Sequence, residues 1–258
     1  MPSFSPPETA HHDFSIWLST PLGRYIAQRE QSFFDHTVAD LFGYYAVQIE
    51  LPEYDFLRAN RMPTRLIAGR CEGAQLRCDP AQLPLPTASI DLLILPHTLD
   101  FHPDPHEVLR EAERVLMPEG RLVLTGFNPW SLWGLTRTLH RRRGMPWAGN
   151  FLTLPRVKDW LALLGLEPCS SRIHCYAPPF SRSAWVEQFE FLEFAGDRWW
   201  PVGGALYCLE AVKRVRGMRL IAPAWKKSTT PVARPQAVVG ALDYQAHPDS
   251  EAPHKPTP

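Results

Sequence analysis

At 258 residues, with 45% hydrophobic and 21% charged side chains, the chain has the size and composition of one well-buried domain with additions, rather than two full domains. Its net charge of zero gives no overall pull toward nucleic acid or anionic membranes, and no apolar run approaches the ~20 residues of a membrane span. The five cysteines (Cys71, Cys78, Cys169, Cys175, Cys208) are scattered and never form C-x-x-C, which argues against a disulfide framework or a zinc knuckle and suits a reducing cytoplasm.

Residues 1–19 read as a flexible start; Met1 to His12 has no basic segment followed by an apolar one, so no signal peptide is expected. Thr20 to Phe42 has helical periodicity, with Leu22, Tyr25, Ile26, Phe33, Val38 and Leu41 on one stripe, and Gly43 closes it. Tyr44 to Leu51 is a short apolar run, Glu53 to Asn60 has helical character, and strands are expected at Thr64 to Ala68 and, more weakly, Ala74 to Cys78. Ile90 to Leu95 is a continuous apolar run, the pattern of a strand buried on both faces. Asp104-Pro105 then starts a helix, since aspartate caps a first turn and proline fits inside it. Its buried stripe is Val108, Leu109, Ala112, Val115 and Leu116, and Pro118-Glu119-Gly120 breaks it before a strand at Arg121 to Thr125. Helices at Leu132 to His140 and Leu154 to Leu164, and strands at Pro168 to Tyr176 and Ala205 to Val212, complete the pattern, with an aromatic cover at Phe180 to Phe194. Strands alternating with helices across short connections predict an α/β domain over 20–221, its parallel sheet covered on both faces. From residue 222 the chain is proline-punctuated and polar; it reads as a disordered tail, 222–258, at most a docking segment for another protein.

The motifs that carry chemistry lie in the middle. They are Cys78 to Leu85 (CDPAQLPL), Ala88 to Asp91, His97-Thr98-Leu99-Asp100, Asp104-Pro105 and Arg114 to Leu122 (RVLMPEGRL). Taken together and in this order, they closely resemble the class I S-adenosylmethionine-dependent methyltransferases, in the large branch acting mainly on small molecules. More weakly, the chain as far as about Tyr244 looks like a group of uncharacterised bacterial methyltransferase-like proteins. The resemblance implies a Rossmann-like, mostly parallel seven-stranded sheet with helices on both faces, and S-adenosylmethionine as cofactor.

In such a sheet, ligands bind beyond the carboxyl ends of the strands where the strand order reverses. Asp79, with Pro80 and Ala81 beside it, is then the expected adenine contact; the alternative is that Asp79 only caps the turn before Pro80. His97 falls where the family places a residue near the transferring methyl. It either lines the reaction centre and takes the nucleophile's proton, or is a loop histidine bonded to a backbone carbonyl. The first strand departs from the family pattern of an acidic residue followed by a G-x-G turn, because Val47 to Asp55 contains no glycine. Gln48 stands at the acidic position and Glu50 at the first glycine, where Glu50 either binds the donor's ammonium group or is a solvated strand end. Glu72 is the nearest candidate for the ribose hydroxyls.

His97, His102 and His106 invite a metal reading, but Pro103 and the helix start at Pro105 turn them apart, and no partner has ligand spacing. Arg137, His140 and Arg141 to Arg143 read as a solvated helix end. Of the nine tryptophans, Trp130, Trp133, Trp147, Trp185, Trp199 and Trp200 follow the fifth strand, where they suit a core and an apolar or aromatic acceptor. The expected function is methyl transfer to a small molecule. A non-catalytic binding module on the same fold is the alternative, and an RNA-directed role, resting on the arginine cluster alone, is disfavoured by the zero net charge.

Overall fold

The computed structural model describes residues 7–140, 144–179 and 202–215. All of them lie in one compact unit, Met1–Gly217. The aromatic segment at 180–194, the arginines at 141–143 and the tail from 222 lie outside the described residues.

Within the segment expected to be flexible, residues Pro7–Leu18 form a helix, α1. Ala10, Phe14 and Leu18 recur at four-residue spacing and are buried. The second helix, α2, runs Pro21–Val38; the Thr20 hydroxyl accepts from the Gly23 N–H at 3.1 Å, and Pro21 occupies the first turn. It stops short of the expected Phe42, which is solvent-exposed. Its buried stripe, Leu22, Ile26, Glu30, Phe34 and Val38, keeps strict four-residue spacing and carries a carboxylate in its middle.

Strands β1 (Tyr45–Ile49), β2 (Thr64–Gly69), β3 (Leu76–Arg77) and β4 (Ile90–Pro96) follow. The helix expected at Glu53 to Asn60 is absent: turns occupy that stretch. It is fixed from outside, by the Asn60 amide donating to the carbonyls of Val38 and Leu41 and by the Gln48 side chain described below. The weak strand at Ala74 to Cys78 shrinks to the two residues of β3. A one-turn helix α3 (Thr98–Phe101) leads to α4 (Pro105–Val115), whose first turn is capped as expected by Asp104, its carboxylate accepting from His106 and Glu107 N–H groups. The remaining elements are β5 (Leu116–Phe127), α5 (Leu132–His140), α6 (Leu154–Leu163), β6 (Leu166–His174) and β7 (Leu206–Lys213). β5 starts earlier than expected because Leu116 already pairs with Ile90 across a register shift, so the Pro118-Glu119-Gly120 break falls inside the strand.

The seven strands form one sheet in the order β3-β2-β1-β4-β5-β7-β6. All neighbours run parallel except β7, which is antiparallel to both β5 and β6. This is the α/β architecture expected. Two apolar cores flank the sheet, and β4 feeds both: Leu92 and Ile94 face α1 and α2, while Leu93 and Leu95 face α4 and α6. Because β1 pairs with β2 on one side and β4 on the other, the strand order reverses between β1 and β4. The carboxyl ends of these two strands carry Glu50 and His97.

Candidate functional site

At the end of β1 the Gln48 side chain is fully buried and bonded to the backbone that follows it. Its amide nitrogen approaches the carbonyls of Glu50, Leu51 and Tyr54 at 3.1, 3.0 and 2.8 Å, and its oxygen accepts from the Phe56 N–H at 3.1 Å. Glu50 and Leu51 sit in the left-handed region, at φ 65° and 52°, a conformation that glycine adopts freely and other residues only at about 1 kcal/mol each. The turn thus keeps a glycine-like backbone without glycine, held by Gln48.

Glu50 is also fully buried, so it is not a solvated strand end. Its Oε1 accepts from the Arg70 N–H at 3.0 Å, which carries the side chain across to the end of β2. Its Oε2 has no hydrogen-bond partner. The thiols of Cys71 and Cys78 are both pushed up, first by burial and then by the Glu50 charge, Cys78 to about 11.

Asp79 lies past β3. Its Oδ1 accepts from the Ala81 N–H at 2.9 Å and meets His102 Nε2 at 3.0 Å, while its Oδ2 is ion-paired with the Arg70 guanidinium. The side chain remains 40% exposed. Burial alone would raise its pKa; the Ala81 N–H, Arg70 and His102 together hold it below the usual carboxylate value. Pro80 is buried beneath it and Ala81 is half-buried. Asp79 therefore caps its turn, and it also presents a partly open carboxylate. Glu72 stands exposed on the β2–β3 connection.

His97 follows β4 in a left-handed conformation, φ 52°, with no exposed surface. Its Nδ1 is 2.7 Å from Asp100 Oδ2, and its Nε2 is 3.1 Å from Glu30 Oε1, close in charge but out of hydrogen-bonding alignment. Phe14 of α1 and Phe127 of β5 pack on the ring at centroid distances of 4.9 and 4.3 Å. Burial alone would lower the imidazole's pKa; the Glu30 charge and the bond to Asp100 outweigh it and carry it up to about 9. Burial also raises the Asp100 carboxyl, against the pull of His97 and of the Phe127 N–H that it accepts at 2.9 Å. His11 of α1 is 1% exposed with both ring nitrogens unpartnered; burial lowers it to about 4, opposed by Glu50 and reinforced by Arg70, His102 and His97.

Buried polar atoms without a hydrogen bond are expensive and uncommon, at about 1–3 kcal/mol each. Among the described residues they concentrate here, on His11, Glu30, Glu50, Arg70, His97 and Asp100. A donor set richer in carboxylates than in cations, with acceptor oxygens unfilled, suits a ligand that carries positive charge and N–H donors. S-adenosylmethionine, with its sulfonium and ammonium groups, fits that description: Glu50, Glu30 and Asp100 would face its cationic part, and Asp79 its adenine amine.

His97, His102 and His106 have different partners, His97 being held between Asp100 and Glu30. His102 turns to Asp79, and His106 packs on the Trp160 ring at 3.6 Å. Among the described residues no cluster of three metal-ligating side chains occurs. Trp133 is core and Trp130 exposed, while Arg137 lies over the Phe151 ring. Glu30, His11 and Arg70 were missed from sequence. Glu30 had a legible signal, a carboxylate four residues from both Ile26 and Phe34 on an apolar stripe. The other two had none, since only the folding of α1 and of the β2–β3 connection brings them in.

Residues 43–124 match a family model described as a methyltransferase domain. The uncharacterized protein YafS of Escherichia coli (strain K12) is 44% identical over 102 residues, 39% of this chain; the match spans 42% of that protein's length. A SAM-dependent methyltransferase from Thermotoga maritima, described as a possible histamine N-methyltransferase, superposes with a TM-score of 0.57 over 80% of this chain and 100% of its own, at 16% identity. A SAM dependent methyltransferase from Archaeoglobus fulgidus gives 0.52 over 72% and 94%, also at 16% identity. The fold is that of the class I methyltransferases, and the domain pattern covers β1 to β5. Among the described residues no helix is long and apolar enough to cross a membrane.

Proposed function

We propose that this chain transfers a methyl group from S-adenosylmethionine to a small-molecule acceptor, using the β1/β4 end of the sheet as the donor site. The observation that carries the reading is the concentration at that place of buried ionisable side chains: Glu30 and His97 are ion-paired, while Glu50 Oε2, Arg70 Nη1, Asp100 Oδ1 and both His11 ring nitrogens lack a hydrogen bond, a density not matched elsewhere among the described residues. When bound, the donor supplies an already activated methyl group. The protein's task is then to orient and to exclude water, which can itself lower a barrier by several kcal/mol, up to ~10. Glu50 and the left-handed turn at Glu50-Leu51 hold the methionine side, while Asp79 with Pro80 and Ala81 holds the adenine side. His97 lines the reaction centre, and its proton is retained there near neutral pH. The role of accepting a proton from an incoming nucleophile therefore falls to the Glu30–His97–Asp100 unit rather than to the imidazole alone. Entry requires α1 to lift, because Phe14 and His11 close this end.

A second reading, a non-catalytic binding module, draws on one feature: the Arg70–Asp79 ion pair occupies the carboxylate meant for adenine. Calorimetric titration of the full chain with S-adenosylmethionine and S-adenosylhomocysteine separates the two. Donor binding supports the enzyme reading; no heat from either ligand at millimolar concentration leaves the binding module.

A further inference from the structure

Resting on the donor-binding reading above, we propose that Glu50 makes this site discriminate by charge, holding the cationic donor S-adenosylmethionine in preference to its neutral product S-adenosylhomocysteine. Glu50 stands where a glycine is expected, in a backbone conformation that glycine would adopt without strain. The substitution adds a carboxylate, and that carboxylate is turned inward: the residue has no exposed surface, and one oxygen is pinned by the Arg70 N–H. The other oxygen is buried without a nitrogen or oxygen donor, the Cys71 thiol being the one side chain that bonds this carboxylate. It lies against the end of β2, so close that a Cβ at Gly69 would come within 2.7 Å of it.

Its field is felt by three neighbouring side chains, His11, Cys71 and Cys78. Around it stand two further buried carboxyl groups, Glu30 and Asp100, beside the His97 imidazole, while the Arg70 guanidinium is tied to Asp79. Charges out of water interact several-fold more strongly than exposed ones. When the methyl leaves, its bonding pair stays on sulfur, the acceptor's lone pair forms the new bond to carbon, and the sulfonium becomes a neutral thioether. The ligand loses one positive charge while the carboxylates keep theirs, so the site's grip falls at the step where the product must go.

The experiment is calorimetric titration of the full chain near neutral pH with three probes: S-adenosylmethionine, S-adenosylhomocysteine and sinefungin, whose amine carries the positive charge without a sulfonium. S-adenosylmethionine and sinefungin should both bind at least about tenfold more tightly than S-adenosylhomocysteine. Glu50→Gln keeps an oxygen for the Arg70 N–H and removes the charge; it should bring the three affinities within about threefold of one another. Equal or tighter binding of S-adenosylhomocysteine by the unaltered chain overturns the proposal and leaves the donor-binding reading standing. So does a preference that persists undiminished in Glu50→Gln. Failure of all three probes to bind removes the donor reading and the proposal together. The comparison in the unaltered chain decides even if the variant does not fold.

Discussion

The side-chain oxygen of Gln48 accepts the backbone N–H of Phe56 at 3.1 Å, eight residues on, and this bond completes a set of four that folds the β1 turn. The amide nitrogen of the same side chain shares its two N–H groups among the carbonyls of Glu50, Leu51 and Tyr54. Only a primary amide can do both, since a carboxylate has no N–H to give. Gln48→Ala should therefore cost about 3 kcal/mol of unfolding free energy, the price of several buried backbone groups left unpaired. Gln48→Glu, which restores the acidic residue of the family pattern, should be at least as damaging because it faces three carbonyl oxygens with negative charge. Urea unfolding checks both. Unchanged midpoints would mean that the turn is held by something else.

That staple also marks the limit of what was legible in the sequence. The central strands announced themselves: Ile90 to Leu95 needs no tertiary context to read as buried on both faces, and Asp104-Pro105 is a local capping signal that the structure reproduces bond for bond. Position 48 was read as a departure from an acidic pattern, because the function of its amide depends on carbonyls up to six residues away in a turn that periodicity mistook for a helix. α1 escaped for a similar reason. Its buried apolar residues, Ala10, Phe14 and Leu18, are set among His11, His12, Asp13 and Ser15, and it is the docking of Phe14 onto Phe101 and Phe127 that makes Pro7–Leu18 an amphipathic helix. Asp79 stands in a motif that the sequence singled out, but its pairing with Arg70 joins two connections that no local pattern links.

The proton on His97 gives stability a specific pH dependence. The group's folded pKa, about 9, lies above its ordinary value of 6.5, so the folded state holds a proton that the unfolded chain gives up between those two values. Stability from this source is full below pH 6.5 and is lost as pH rises through about 9, an effect on the order of 3 kcal/mol. Thermal unfolding across that window should show a falling Tm, and His97→Gln should flatten it. A Tm that is level or rises toward pH 9 in the unaltered chain would contradict a protonated imidazole between Glu30 and Asp100.

His11 acts at the other end of the scale and with the opposite sign. Burial holds it at about 4, below its ordinary 6.5, so the unfolded chain binds the proton first as pH falls. Its contribution is full above pH 6.5 and is lost on acidification through about 4, again on the order of 3 kcal/mol. The groups acting on it are Glu50 from β1, Arg70 from the end of β2, and His97 and His102 flanking α3. Asp100, raised by burial, slopes the other way in part of this range, so the His11 effect is read as a difference from His11→Leu. The variant should be more stable than the unaltered chain below about pH 5 and within about 1 kcal/mol of it near neutrality. Trp17, stacked on Phe14 at 5.6 Å, offers a local signal: its fluorescence should change on acidification before global unfolding, and should not do so in the variant.

The Arg70–Asp79 ion pair yields the last prediction, in which two substitutions affect donor binding differently. Asp79 gives one oxygen to the Ala81 N–H and His102 and the other to Arg70; its own side chain is 40% exposed, but that of Arg70 is only 14% exposed. Asp79→Ala strands that largely buried guanidinium and should lower the urea midpoint, and Arg70→Ala, which leaves the more open carboxylate, should lower it less. In the proposed donor site the same carboxylate would accept from an adenine amine, and Arg70 would compete for it. Asp79→Ala should weaken S-adenosylmethionine by about 1–2 kcal/mol, the loss of one polar contact in a partly desolvated place. Arg70→Ala removes the competitor while leaving its backbone N–H on Glu50, so it should leave binding unchanged or tighten it by up to about tenfold. Calorimetry on the two variants measures both. If Arg70→Ala weakened the donor as much as Asp79→Ala, the guanidinium would belong to the binding site itself, and the adenine amine would have to be held elsewhere.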